Sequence, residues 1–224
     1  MHSATLQICP TTVVKDDELS RLCARLSQGL HALAQPLTIL RSALVASTAP
    51  GISAVEQRRY LDLSTQHMER ICGLFECLQD VVIASHMDAE CEPILLSDVL
   101  AVVVQDQKVV LEAGGVELRV LMPETLPSVL GDVNRTLQAL SAALIIAASV
   151  SSPGDLVEFL VSAGNGNVEL VLQNRRIHGR RPNSSERLSL ALAEANIRSQ
   201  HGEYEYDEDP FRVSFALPLQ DGLP

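Results

Sequence analysis

The stretch His31-Ala32-Leu33-Ala34-Gln35-Pro36-Leu37-Thr38-Ile39-Leu40 lies inside a leucine-rich segment that sets how the first third of the chain is organised. Apolar residues recur around it at Leu19, Leu22, Leu26, Leu30, Leu33, Leu37, Leu40 and Leu44, always three or four apart. That is the period of one face of an α-helix, with a short irregularity near Gly29. Asp16, Asp17 and Glu18 put negative charge in a first turn, where the helix dipole favours it. Leu30 and Leu33 occupy the seam, so His31 stands at its flank. An exposed imidazole on a rigid helix can act as a nucleophile at neutral pH. Pro36 falls inside the helix, where it removes one backbone hydrogen bond and frees the carbonyl of Ala32, the residue next to the histidine. A proline there calls for a local reason, such as a bend beside a working residue.

Working outward, Pro50 and Gly51 break the chain. Ser53 followed by Glu56 has the spacing of a capping box, which opens a second helix. Its seam runs through Leu61, Ser64, Met68, Ile71, Phe75, Leu78 and Val82. Each helix spans about 30 residues, on the order of 45 Å at 1.5 Å rise per residue. Equal lengths and a short connection predict an antiparallel hairpin over residues 16–90, behind a tail at 1–15. Two helices form a thin core. A second copy would complete a four-helix bundle, so a homodimer is expected. Packing of the hairpin on the rest of its own chain is the alternative.

From Glu92 and Pro93 the pattern changes. Residues 97–113 read as an amphipathic helix ending at Gly114-Gly115, and Val116, Leu118 and Val120 alternate as a strand does. Residues 132–149 read as a buried helix. A strand at about 155–163 turns through Gly164-Asn165-Gly166-Asn167 into a partner at Val168, Leu170 and Leu172. Asn183 and Glu186 have cap spacing and open a helix to about Gln200, and His201-Gly202 ends it. Two strands follow, near 203–206 and 211–217, and Asp207, Glu208 and Asp209 read as a turn. The fold class is therefore α+β, a helical hairpin followed at 91–224 by an α/β sandwich.

Composition narrows the function. The 224 residues are 46% hydrophobic, 20% charged and 3% aromatic, with no Trp and a formal charge of −11. The acid excess argues against nucleic acid as the main partner. The most apolar stretch, roughly residues 137–150, is interrupted by Gln138, Ser141 and Ser149 and falls short of the ~20 residues that span a bilayer, so no membrane segment is expected. The beginning of the sequence lacks the pattern of a signal peptide. Five cysteines (Cys9, Cys23, Cys72, Cys77 and Cys91) show no metal-ligand spacing and read as reduced thiols of a cytoplasmic protein. Arg175, Arg176, His178, Arg180 and Arg181 form a basic knot, either a solvated loop or a docking patch for an acidic partner.

The string of His31, Gln35, Pro36, Leu37 and Leu40 resembles the phosphoacceptor box of two-component sensor histidine kinases, which reads roughly H-E-x-x-x-P-L-x-x-I. In that family the histidine sits on the first helix of a dimeric hairpin, which here covers about residues 16–87. The family usually carries an acidic residue just after the histidine, where this chain has Ala32. That departure bears on autokinase chemistry more than on phosphotransfer, because an incoming acyl phosphate is already activated.

Residues 94–220 resemble the ATP-binding domain of the same kinases in order of elements. Asp132-Val133-Asn134-Arg135-Thr136-Leu137 is similar to the start of the family's Asn-rich helix. On that register the Mg²⁺-holding Asn falls at Ile146 and an earlier Asn at Ala142, and an aliphatic side chain offers a hard cation no oxygen. The motif D-x-G-x-G falls on Gln173-Asn174-Arg175-Arg176-Ile177. The Gly-rich turn that should open the last helix falls on Arg187-Leu188-Ser189-Leu190-Ala191. Packing positions are kept while nucleotide-binding positions are replaced.

The resemblance implies histidine phosphotransfer in a two-component relay. His31 would accept a phosphoryl group from, or pass it to, a response-regulator aspartate. Gln35 would hydrogen-bond the phosphoryl group or position water, or be only a surface amide. The receiver domain is the expected partner and brings its own Mg²⁺; the chain itself is expected to hold no cofactor or metal. Only about fifteen residues precede the first predicted helix, so input is expected from another protein or from the receiver itself. The alternatives are an active ATP-dependent histidine kinase and a non-catalytic dimeric scaffold that binds relay components.

Overall fold

The computed structural model describes residues 11–175 and 180–220, with side chains from residue 19 onward. Helix α1 (Thr11–Ser47) carries Pro36 in its interior, and helix α2 (Ala54–His86) returns antiparallel to it. The first helix thus begins five residues ahead of Asp16. Gly51 takes the positive φ of 82° that the reversal needs. The capping box of α2 is complete: Ser53 Oγ accepts from Glu56 N at 3.2 Å, and Ser53 N donates to the Glu56 carboxylate at 3.1 Å.

The expected leucine seam divides between two faces. The buried line of α1 runs Leu22, Arg25, Gly29, Ala32, Pro36, Leu40, Ala43 and Ser47, while Leu19, Leu30, Leu37 and Leu44 are exposed. On α2, Ser64, Leu74, Leu78, Val81 and Ala84 are buried, while Leu61, Met68 and Phe75 are exposed. Size explains the difference. Close helix approach follows small residues, and a Cβ on Gly29 would collide with the Leu78 side chain. The longer leucines are displaced to the flank.

The second part begins with β1 (Glu92–Ile94), α3 (Leu96–Ala113), β2 (Glu117–Leu121), β3 (Val129–Gly131) and α4 (Val133–Val150). It continues through β4 (Leu156–Gly164), β5 (Asn167–Asn174), α5 (Ser184–Arg198), β6 (Glu203–Glu208) and β7 (Phe211–Pro218). Five strands form one sheet in the order β2-β4-β5-β7-β6. Only β2 and β4 run parallel, and the other pairs are antiparallel. The β4–β5 turn has positive φ at Asn165 (52°) and Gly166 (82°), as a tight hairpin of this hand requires. Asp207 and Glu208, expected in a turn, lie within β6. A separate ribbon pairs β1 with β3, which the sequence reading did not anticipate. Its three-residue strands are too short to show alternation.

The core lies between the sheet and α3, α4 and α5, around Phe159, Phe215, Leu144, Leu170 and Leu172. Among the described residues, α4 is the one helix long and apolar enough to cross a bilayer. Here its apolar face packs into this core. A second apolar cluster joins the two parts: Leu22, Ala32, Leu74, Leu78 and Val81 of the hairpin pack with Leu188, Leu192 and Ala195 of α5. The hairpin therefore does pack on its own chain, the alternative weighed above. Polar links reinforce the seam, with Arg25 to Glu194 at 2.9 Å and Arg135 to the Met87 carbonyl at 3.0 Å.

Candidate functional site

His31 and Gln35 are exposed on α1, four residues apart and so on one helix face. Two neighbouring hydroxyls bond back to the helix on its exposed side: Thr38 Oγ1 donates to the Ala34 carbonyl at 2.8 Å and Ser42 Oγ to the Thr38 carbonyl at 2.9 Å. Pro36 is buried, so its ring faces inward and the imidazole one turn earlier faces solvent. At 100° per residue, His31 stands about 120° around the helix from the exposed stripe of Leu30, Leu37 and Leu44.

Ala32 explains the missing acid. It is only 6% exposed, in the cluster that joins the hairpin to α5. A carboxylate there would lose its water inside an apolar cluster. The packing of α5 against α1 thus selects a small apolar residue after the histidine.

Between α4 and α5 runs a groove of about 700 Å³, walled by Leu137, Ala142, Ile145, Ile146 and Leu192 together with polar residues that include Asn134, Gln138 and Glu186. Ile146 and Ala142 stand where the family's resemblance placed metal-binding oxygens. Neither can ligate Mg²⁺, so the two side-chain oxygens expected at those positions are replaced by aliphatic groups. No cluster of His, Cys, Asp and Glu with metal-site geometry exists among the described residues.

The start of α5 is occupied by a carboxylate. Asn183 Oδ1 accepts from Glu186 N at 3.1 Å, and Asn183 N donates to Glu186 Oε2 at 2.8 Å. Arg180 forks onto the same carboxylate, and Ser149 donates to it. Desolvation pushes the Glu186 carboxyl up. The hydrogen bonds from Arg180, Asn183 and Ser149 outweigh it and hold its pKa below the ordinary 4.5. An ionised carboxylate therefore sits where a phosphate-binding helix would present bare N–H groups. Arg187 to Ala191, matched above to a Gly-rich opening turn, lie inside α5 instead, with Leu188 fully buried. Asn183 makes the turn. Gln173 donates to Glu158 and Asn174 to Ser151, so both positions are used inside the sandwich.

The basic knot is largely neutralised within the chain. Arg175 pairs with Glu158, Arg180 with Glu186 and Arg181 with Asp209. Arg176, Ile177 and His178 lie outside the described residues, as does Cys9. Cys23, Cys72, Cys77 and Cys91 are free thiols. Burial, followed by the Asp80 charge, pushes the Cys77 thiol up to about 11, which leaves it protonated and inert at neutral pH. The sequence reading missed Arg25, buried in the hairpin–α5 seam. Its available signal was position, since Arg25 falls in step with Leu22, Gly29 and Ala32.

Solved structures share this architecture. The chain superposes on the histidine kinase AdeS of Acinetobacter baumannii with a TM-score of 0.62 at 19% identity, over 84% of this chain and 96% of that one. The fold is that of a sensor histidine kinase. A histidine kinase from Burkholderia phymatum gives a TM-score of 0.51 at 14% identity, over 85% of this chain and 97% of that one. Full-length ShkA in complex with AMPPNP gives 0.55 at 14% identity, over 88% of this chain but 45% of that one. No protein-family model matches the sequence, and no curated protein does. Hairpin and sandwich are both within the shared histidine-kinase fold, which carries His31 on its first helix and the groove in its second part.

Proposed function

We propose that this chain is a histidine phosphotransfer protein of two-component signalling, working through His31 with a sandwich that does not use ATP. The observation that carries the reading is the contrast between the two halves of a histidine-kinase fold. The phosphoacceptor-type histidine stands in water on a rigid helix, while the groove of the sandwich has Ala142 and Ile146 at the two positions matched to Mg²⁺-binding asparagines and the start of α5 is occupied by Glu186.

The chemistry is a displacement at phosphorus. A neutral imidazole nitrogen of His31 attacks the aspartyl phosphate of a receiver domain. The N–P bond forms as the P–O bond to the aspartate breaks, and the carboxylate leaves with the bonding electron pair. The reverse step returns the phosphoryl group to a receiver. The receiver's Mg²⁺ and carboxylates serve the transfer, so this chain need supply no metal ligand. Gln35, one turn along, is within the same exposed face and would hydrogen-bond a phosphoryl oxygen.

Dimerisation through Leu30, Leu37 and Leu44 with Leu61, Met68 and Phe75 is consistent with this role. Burying those residues would leave His31 open. The test is incubation with receiver domains charged with labelled acyl phosphate. Label should appear on the wild-type chain and be absent from His31→Ala. Equal label on both, or on neither across receivers from the same genome, would refute the reading. Receiver binding indifferent to His31 would favour the scaffold alternative, and tight Mg²⁺–ATP binding the kinase.

A further inference from the structure

A cleft of about 280 Å³ opens between the hairpin and the sandwich, bounded by Arg21 and Arg25 of α1, Arg187 and Glu194 of α5, and Tyr204 and Tyr206 of β6. Four buried polar atoms there lack a hydrogen-bond partner: Arg25 Nη2, Arg187 Nε and the hydroxyls of Tyr204 and Tyr206. Tyr204 is only 8% exposed. Arg25 Nη2 lies 2.9 Å from Glu194 and Arg187 Nε lies 2.8 Å from Glu208, so the charges are matched while the N–H directions are not satisfied. Glu194 is also shared with Arg198 at 2.9 Å. Burial, and then the nearby carboxylates, push both phenols up, Tyr206 to about 12 and Tyr204 further. Both are therefore protonated donors at neutral pH.

Buried donors without acceptors are unfavourable; here two phenol hydroxyls have none, and two guanidinium N–H groups beside them meet their carboxylates in poor directions. An oxyanion would meet several donors at once, with charge-assisted hydrogen bonds from the guanidinium groups. We propose that this cleft is a binding site for a small tetrahedral oxyanion of the phosphate class, held by Arg25, Arg187 and the hydroxyls of Tyr204 and Tyr206. The ligand would bridge α1, α5 and β6 and so brace the hairpin against the sandwich. Inorganic phosphate and the phosphoryl group of a small phosphate ester or acyl phosphate share this chemistry. The site is separate from His31 and does not depend on phosphotransfer there.

The test is calorimetric titration of the full chain with orthophosphate, sulfate and acetyl phosphate, each against a chloride blank of equal ionic strength. Tyrosine fluorescence provides a second readout, because the chain has three Tyr and no Trp. Saturable one-to-one binding of orthophosphate or sulfate is expected. Binding of acetyl phosphate alone would support the site and assign it to phosphoryl groups of small metabolites. Tyr204→Phe with Tyr206→Phe should weaken binding about tenfold or more, and Tyr206→Phe alone, at the less buried ring, should weaken it measurably. His31→Ala should bind as wild type. A response no different from chloride for all three ligands would overturn the proposal, as would a folded Tyr206→Phe and a folded double variant that both bind like wild type.

Discussion

Ala32 shows how one residue's surroundings constrain chemistry one position away. It is buried where α1 meets α5, so the helix flank that could hold an acid beside His31 is closed by packing. Ala32→Glu should therefore destabilise the chain by about 2 kcal/mol or more in urea unfolding, because the carboxylate enters an apolar cluster. It should not produce label from ATP. A stable Ala32→Glu chain that gains autophosphorylation would show that the acid was the only missing part. His31, Gln35 and Pro36 stood out in the sequence because the string is local. Arg25, Tyr204 and Tyr206 did not, since the cleft joins residues nearly 180 positions apart in the chain.

At the scale of elements, α5 is stabilised at its start by Asn183 and Glu186. Asn183→Ala should cost about 1 kcal/mol. Because the folded-state pKa of Glu186 is lowered, its contribution is fully present above the unfolded value of 4.5 and is lost as pH falls through the folded value. Wild type should lose that increment on acidification and Glu186→Gln should not, which pH-dependent denaturant midpoints would reveal. In the hairpin, Gly29→Ala drives a methyl group into Leu78. A loss of about 1–3 kcal/mol is expected, read from the thermal midpoint. Helices, strands and the β4–β5 turn were legible because their periods and turn residues are local. The partition of the leucines was not, because it depends on which face of α1 can approach α2 closely. The β1–β3 ribbon was hidden for a related reason, as three residues carry no measurable period.

For the whole molecule, the exposed apolar residues of both helices are the unused surface of the hairpin. Leu30, Leu37 and Leu44 repeat every seven residues, as do Leu61, Met68 and Phe75. This is the spacing of a helical-bundle seam. If two copies associate through it, Leu37→Glu with Phe75→Glu should halve the mass found by sedimentation equilibrium while the circular dichroism spectrum stays helical. An unchanged mass would place the contact elsewhere or exclude it. The α+β order was readable from the sequence, but the docking of α5 onto the hairpin was not, because it rests on long-range burial of Leu188 and Leu192.

If His31 works as proposed, phosphorus reaches it from a receiver and not from ATP. The most direct measurement offers the purified chain two donors in parallel, a receiver carrying a labelled aspartyl phosphate and Mg²⁺ with γ-labelled ATP, and follows acid-labile label on the chain. Label from the receiver alone, abolished by His31→Ala, is the predicted result. Label from ATP in the absence of any receiver, or receiver-derived label that survives His31→Ala, would contradict it.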